Sequence, residues 1–123
     1  MLKVIIAGSQ DFNDYNKLKG VCNQILFDKS DIEIVSGKAQ GADTLGERYA
    51  KERGFEVEPF PADWDNLGKS AGPIRNREMA EYADVLIAFW DGESPGTKSM
   101  INIAKHHGLE VHTILYKKHT SLF

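Results

Sequence analysis

Cysteine is almost missing from this chain: Cys22 stands alone, so no internal disulfide framework can form. Positive charge is also short, with 15 Lys and Arg against 18 Asp and Glu, a net charge of −3, and no run of basic residues. The footprint that phosphate-backbone binding leaves is absent, which argues against nucleic acid as a partner. Long apolar runs are lacking too. No stretch approaches the roughly 18 residues of a membrane span, and Met1 leads directly into Leu2-Lys3-Val4-Ile5-Ile6-Ala7, too short for a signal-peptide core. A cytoplasmic location without membrane contact is expected.

What is present fits one globular domain spanning 1–123: 123 residues, 41% hydrophobic and 27% charged. Among 11 glycines, Gly8, Gly37, Gly41, Gly92 and Gly96 follow apolar, β-like runs, where a backbone turns sharply or approaches a ligand.

The runs alternate in type. Leu2–Ala7 reads as a buried strand, and Leu18, Val21, Cys22, Ile25 and Leu26 form the stripe of a helix capped by Asn13 or Asp14. Ile32–Val35 is a second strand. The loop Ser36–Gly41 follows, and then a helix with Ala42, Leu45, Gly46, Tyr49 and Ala50 on one face, stopping at Gly54. Phe55–Phe60 alternates apolar and charged residues like an edge or half-covered strand. An irregular segment from Pro61 to Gly72 is expected next. Pro73 opens a third helix running to about Tyr82, Val85–Trp90 is the most hydrophobic strand, and Asp91–Gly96 leads into a fourth helix, Thr97 to about His107. Val111–Tyr116 is the last strand. Five strands alternating with four helices imply a parallel sheet covered on both faces.

In such a sheet ligands bind beyond the carboxyl ends of the strands, where strand order reverses. The loops beginning at Gly8, Ser36 and Asp91 share that edge, and two of them feed helix N-termini, whose unpaired N–H groups suit an anion. Gly37–Asp43 and Gly92–Thr97 are therefore candidate phosphate loops, against the plainer alternative that their glycines only make tight turns. Arg75, Asn76 and Arg77 open the third helix beside that edge; bidentate phosphate recognition suits either arginine, against a surface ion pair, an alternative that weighs more for Arg77 than for Arg75. Asp43 and Asp91 either accept ribose hydroxyls or cap helices. Phe12, Trp64 and Trp90 offer stacking faces, with core packing favoured for Trp90.

Several familiar motifs fail on inspection. No G-x-G-x-x-G follows the first strand. Gly68-Lys69-Ser70 resembles the end of a Walker A loop, but Asp63 occupies the position of its first glycine, and Ala71-Gly72-Pro73 is expected not to continue as a helix. Gly92-Glu93-Ser94-Pro95-Gly96 fits the nucleophile-elbow pattern, yet Pro95 has no N–H to offer an oxyanion. His106 and His107 are adjacent on a helix and point apart, and His119 lies in the tail, so no metal site is expected.

Taken together, Gly8-Ser9-Gln10-Asp11-Phe12, Ser36-Gly37-Lys38-Ala39-Gln40-Gly41-Ala42-Asp43, Pro61-Ala62-Asp63-Trp64, Gly72–Met79 and Phe89–Thr97 resemble the YspA-like branch of the SLOG superfamily. The resemblance implies a Rossmann-like three-layer sandwich with a five-stranded parallel sheet in the order 3-2-1-4-5. It also implies a nucleotide or NAD-derived ligand (NAD, ADP-ribose or AMP-like), bacterial or phage settings and a homodimer. The site it outlines comprises Gly8, Ser9, Gln10, Phe12, Ser36, Gly37, Gly41, Ala42, Asp43, Arg75, Asn76, Asp91, Gly92, Ser94, Gly96 and Thr97.

The superfamily includes LOG hydrolases, which cleave the N-glycosidic bond of modified AMP, and the DNA-processing DprA proteins. By resemblance to LOG enzymes, Arg75 takes the position of their arginine and Ser94–Thr97 that of their glycine-rich loop, while their catalytic glutamate falls on Met100. Methionine is no general base, so hydrolysis would need another carboxylate, among Asp91, Glu93 and Asp43. Arg75 and Asp91 are the catalytic candidates for that alternative. Gln10 stands where relatives often carry arginine.

Overall fold

A computed structural model describes residues 1–116. Five parallel strands, β1 (Leu2–Gly8), β2 (Ile32–Ser36), β3 (Glu56–Pro59), β4 (Val85–Trp90) and β5 (Glu110–Leu115), form one sheet in the order β3-β2-β1-β4-β5. This is the expected order. Val4 pairs with Ile34 on one side and Val85 on the other, which puts the two most apolar strands beside each other at the centre. Strands buried on both faces read as continuous apolar runs, as β1 and β4 do.

Side chains of the central strands point alternately to two cores. Val4, Ile6, Ile34, Ile87 and Phe89 pack with α1 (Tyr15–Leu26) and α2 (Ala42–Arg53). On the opposite face, Ile5, Ala7, Val35, Leu86 and Ala88 pack with α4 (Ala71–Tyr82) and α5 (Pro95–His106). Local chemistry sets the helix limits: the Asp14 carboxylate accepts the Lys17 N–H at 3.1 Å to cap α1, and α2 ends at Gly54. The edge strands β3 and β5 are only partly covered, as the alternation in β3 predicts. Among the described residues no helix is long and apolar enough to cross a membrane.

Two expectations need correction. The segment Pro61–Gly72 is mostly helical: α3 (Trp64–Leu67), capped by the Asp63 side chain, runs through a 3-10 turn at Gly68–Ser70 into α4. A helix does begin at Ala71, because Pro73 falls at its third residue, where no intrahelical N–H is needed. The Walker A match still fails, since a helix rather than a strand precedes Gly68. The second correction is smaller: α5 starts at Pro95, two residues before Thr97, with proline in the first turn. His119 lies outside the described residues.

Candidate functional site

The chain leaves β1 toward β2 and β3 on one side, then crosses back so that β4 lands on the other. The carboxyl ends of β1 and β4 thus flank a reversal of strand order, the place where such sheets hold ligands. A cleft of about 1080 Å³ opens there. Of the expected residues, Gly8, Ser9, Gln10, Gly37, Asp43, Arg75, Asn76, Ser94, Gly96 and Thr97 line it.

Phe12, Ser36, Gly41, Ala42, Asp91 and Gly92 do not, and each has another task. Phe12 is 2% exposed, stacked on Phe89 at 4.8 Å and set edge-on to Tyr116, so no face of its ring is left for a ligand. Ser36 Oγ donates to Glu47 Oε2 at 2.6 Å and accepts the Lys38 N–H at 3.1 Å, pinning the second loop to α2. Gly41, at φ +76°, lets α2 begin against the first loop: a Cβ there would lie 2.4 Å from the Ser9 carbonyl oxygen. Ala42 is buried under Gly8. The Asp91 carboxylate accepts the N–H groups of Glu93 and Ser94 at 2.9 and 2.8 Å and the Ser94 hydroxyl at 3.1 Å, which shapes the turn before α5. Gly92 is an exposed residue of that turn.

The cleft gains residues that the sequence did not mark as ligand-facing, including Lys38, Gln40, Ser99 and the buried Met79. Lys38 does carry a structural sign, a positive φ of 61° in a non-glycine residue, which is uncommon and concentrates at functional loops. Its Nζ lies 2.9 Å from Glu47 Oε1. Trp64 lines the cleft and is 58% exposed, whereas Trp90 packs on the core and donates its indole N–H to the Ser94 carbonyl at 3.1 Å. Met100 also faces the cleft, so no carboxylate comes from that position. Arg77 is exposed and outside the lining.

Two opposite charges meet at the floor. Asp43 is 5% exposed and accepts the Ala39 N–H at 3.3 Å. Burial pushes its carboxyl up to about 6; the Ala39 and Gly8 N–H groups and the Arg75 guanidinium pull it back, and Glu47 adds to the rise. Arg75 donates through Nη1 to the Gly37 carbonyl and through Nε to Asn76 Oδ1 at 3.0 Å. Burial lowers the Arg75 pKa and Asp43 opposes that shift. Gly37 leaves room for this pair, since a Cβ would sit 2.7 Å from Arg75 Nη1 and 2.8 Å from Asp43 Oδ2.

The two helix N-termini at the cleft differ. Neither has a side-chain cap, but Asp43 places a carboxylate in the first turn of α2 whereas α5 has no acidic residue in its first turn. The N–H groups of Gly96 and Thr97 have no intrahelical acceptor there. Thr97 is 6% exposed, lines the cleft, and its hydroxyl has no hydrogen-bond partner among the described residues. Asn76, also 6% exposed, uses Oδ1 to accept from Arg75 and keeps its amide N–H group for the cleft. These donors suit one anion. Among the described residues no group of three or more His, Cys, Asp or Glu is placed to hold a metal ion.

A family model of YspA- and cpYpsA-related SLOG proteins matches residues 2–66. The Gene 61 protein of Mycobacterium phage D29 is 35% identical over 118 residues, covering 90% of this chain and 94% of that protein. Among solved structures, DNA processing protein A (DprA) from Streptococcus pneumoniae has a TM-score of 0.76 at 20% identity, over 99% of this chain and 52% of its own. The chain thus spans about half the length of that structure, and the likeness shows a shared Rossmann-like fold.

Proposed function

The chain belongs to the YspA- and cpYpsA-related SLOG family, and on that footing we propose that its cleft binds a nucleotide or nucleotide-derived ligand, of the AMP, ADP-ribose or NAD kind, as a sensor or ligand-handling module. One observation carries this: the unpartnered Thr97 hydroxyl and the free first-turn N–H groups of α5 open into a cleft that also exposes the Trp64 ring. Phosphate fits the first feature and a base the second.

Hydrolysis of the ligand's N-glycosidic bond is a second reading, and it too has one supporting observation. Of the three carboxylates in question only Asp43 lines the cleft, and its raised pKa suits proton transfer near neutral pH. Single-stranded DNA binding finds less support. The charged side chains lining the cleft are Asp11, Lys38, Asp43 and Arg75, two of each sign, which is no basic track for a phosphate backbone.

Calorimetry with AMP, ADP-ribose and NAD tests the proposal, and release of free base in the same mixtures tests the hydrolytic reading. At least one nucleotide binds, and Thr97→Val, which removes one hydrogen bond to a charged group, weakens it by roughly tenfold or more. Trp64→Ala also weakens binding while leaving the fold intact. Failure of all three compounds to bind would overturn the proposal.

A further inference from the structure

Resting on the nucleotide reading of the cleft, we infer that Asp43 limits the ligand to a single phosphate group: a nucleoside monophosphate is accepted, and diphosphates or pyrophosphate-bridged ligands are rejected. Both helix N-termini at the cleft are built to receive negative charge and neither has a side-chain cap, but only α5 is without a carboxylate in its first turn. At α5 the donors of Gly96, Thr97 and Asn76 face the cleft with no carboxylate among the first-turn residues. At α2 the first turn carries the chain's own anion, the Asp43 carboxylate, which takes the Ala39 N–H of the preceding loop at 3.3 Å.

The cations do not offset it. Arg75 is engaged with the Gly37 carbonyl and with Asn76 while lying beside Asp43, and Lys38 is paired with Glu47. Lysine and arginine therefore balance Asp11 and Asp43 across the lining, with Glu47 behind Lys38 adding negative charge. A phosphate on α5 has its own donors. A second one would meet like charge in a partly dehydrated site, an arrangement strongly disfavoured at interfaces.

The groups facing Asp43 are Arg75 from α4, Glu47 from its own helix, and backbone N–H groups of the first two loops. With its carboxyl held at about 6, Asp43 is charged at slightly alkaline pH and largely neutral a unit below 6. Rejection of the second phosphate is therefore expected to fade on acidification.

Titration of the intact protein with AMP and with ADP, in metal-free buffer so that no divalent cation neutralises the diphosphate, reads this directly. At about pH 8 the wild type should bind AMP at least about tenfold more tightly than ADP. The ratio should fall toward one in Asp43→Asn, and in the wild type at about pH 5, by up to about tenfold per pH unit above the Asp43 pKa. Both nucleotides carry phosphates that titrate near pH 6, so their ratio cancels that contribution. Equal affinities in the wild type at the higher pH overturn the inference and leave the nucleotide reading standing. A preference for AMP that persists in both Asp43→Asn and acid also overturns it. Binding of neither nucleotide overturns the inference, and the nucleotide reading falls with it when ADP-ribose and NAD fail to bind as well.

Discussion

Dehydrating a carboxylate opposes folding, and Asp43 makes that opposition measurable. Its carboxyl, ordinarily near 3.8, is pushed up to about 6 in the folded chain, with burial the largest cause. Between those values the folded state keeps a proton that the unfolded chain has released, so this group's contribution to stability falls as pH rises through the window. At about 1.4 kcal/mol per pH unit, the rise amounts to about 3 kcal/mol, fully present above the folded pKa and absent below the unfolded one. Asp43→Asn preserves the shape and removes the titration. Relative to wild type, the variant should gain about 2–3 kcal/mol between about pH 4 and about pH 8. Urea unfolding followed by circular dichroism supplies the comparison. Taking variant against wild type at each pH cancels the other carboxylates, such as Glu52, whose lowered pKa gives a slope of opposite sign. Two stability profiles that run parallel across this range would refute the reasoning, because they would mean that the Asp43 carboxyl is as well hydrated in the fold as outside it.

Two further outcomes are expected. Gly41→Ala puts a Cβ 2.4 Å from the Ser9 carbonyl oxygen and 2.6 Å from that of Gln10, at φ +76°; with no flexible side chain to give way, the loss is about 3–5 kcal/mol. A melting temperature within a degree of wild type would contradict it. Phe12→Ala removes a ring packed on Phe89 and Tyr116 and lowers stability by about 3–5 kcal/mol, while nucleotide affinity per folded molecule stays within about twofold of wild type. Full stability with lost binding in this variant would show that Phe12 faces the ligand.

Much of the architecture was legible because its signals are local. The continuous apolar runs of β1 and β4, the stripe of α1 with Asp14 before it, and Gly54 after α2 each state an element and its end within a few residues. Pro61–Gly72 defeated the same approach. Its α3 is a single turn with no apolar period, and Gly68, Gly72 and Pro73 look like breakers although Gly72 and Pro73 sit in the first turn of α4. The site divided similarly. That the loops after β1, β2 and β4 converge follows from a parallel sheet, but Asp91 and Ser36 are turned to shaping those loops while Lys38 and Trp64 face the cleft.

The amino-acid order by itself therefore determined the five strands, the four longer helices, the fold class and which loops share an edge, since periodicity, caps and turn residues act over one or two turns of chain. Only the tertiary structure decided which loop residues line the cleft, that α5 and not α2 has a first turn without a carboxylate at that cleft, and that Asp43 holds its proton to about pH 6. Those properties come from burial and from charges brought close through space, as when Arg75 reaches the Gly37 carbonyl 38 residues away. No local pattern carries that proximity.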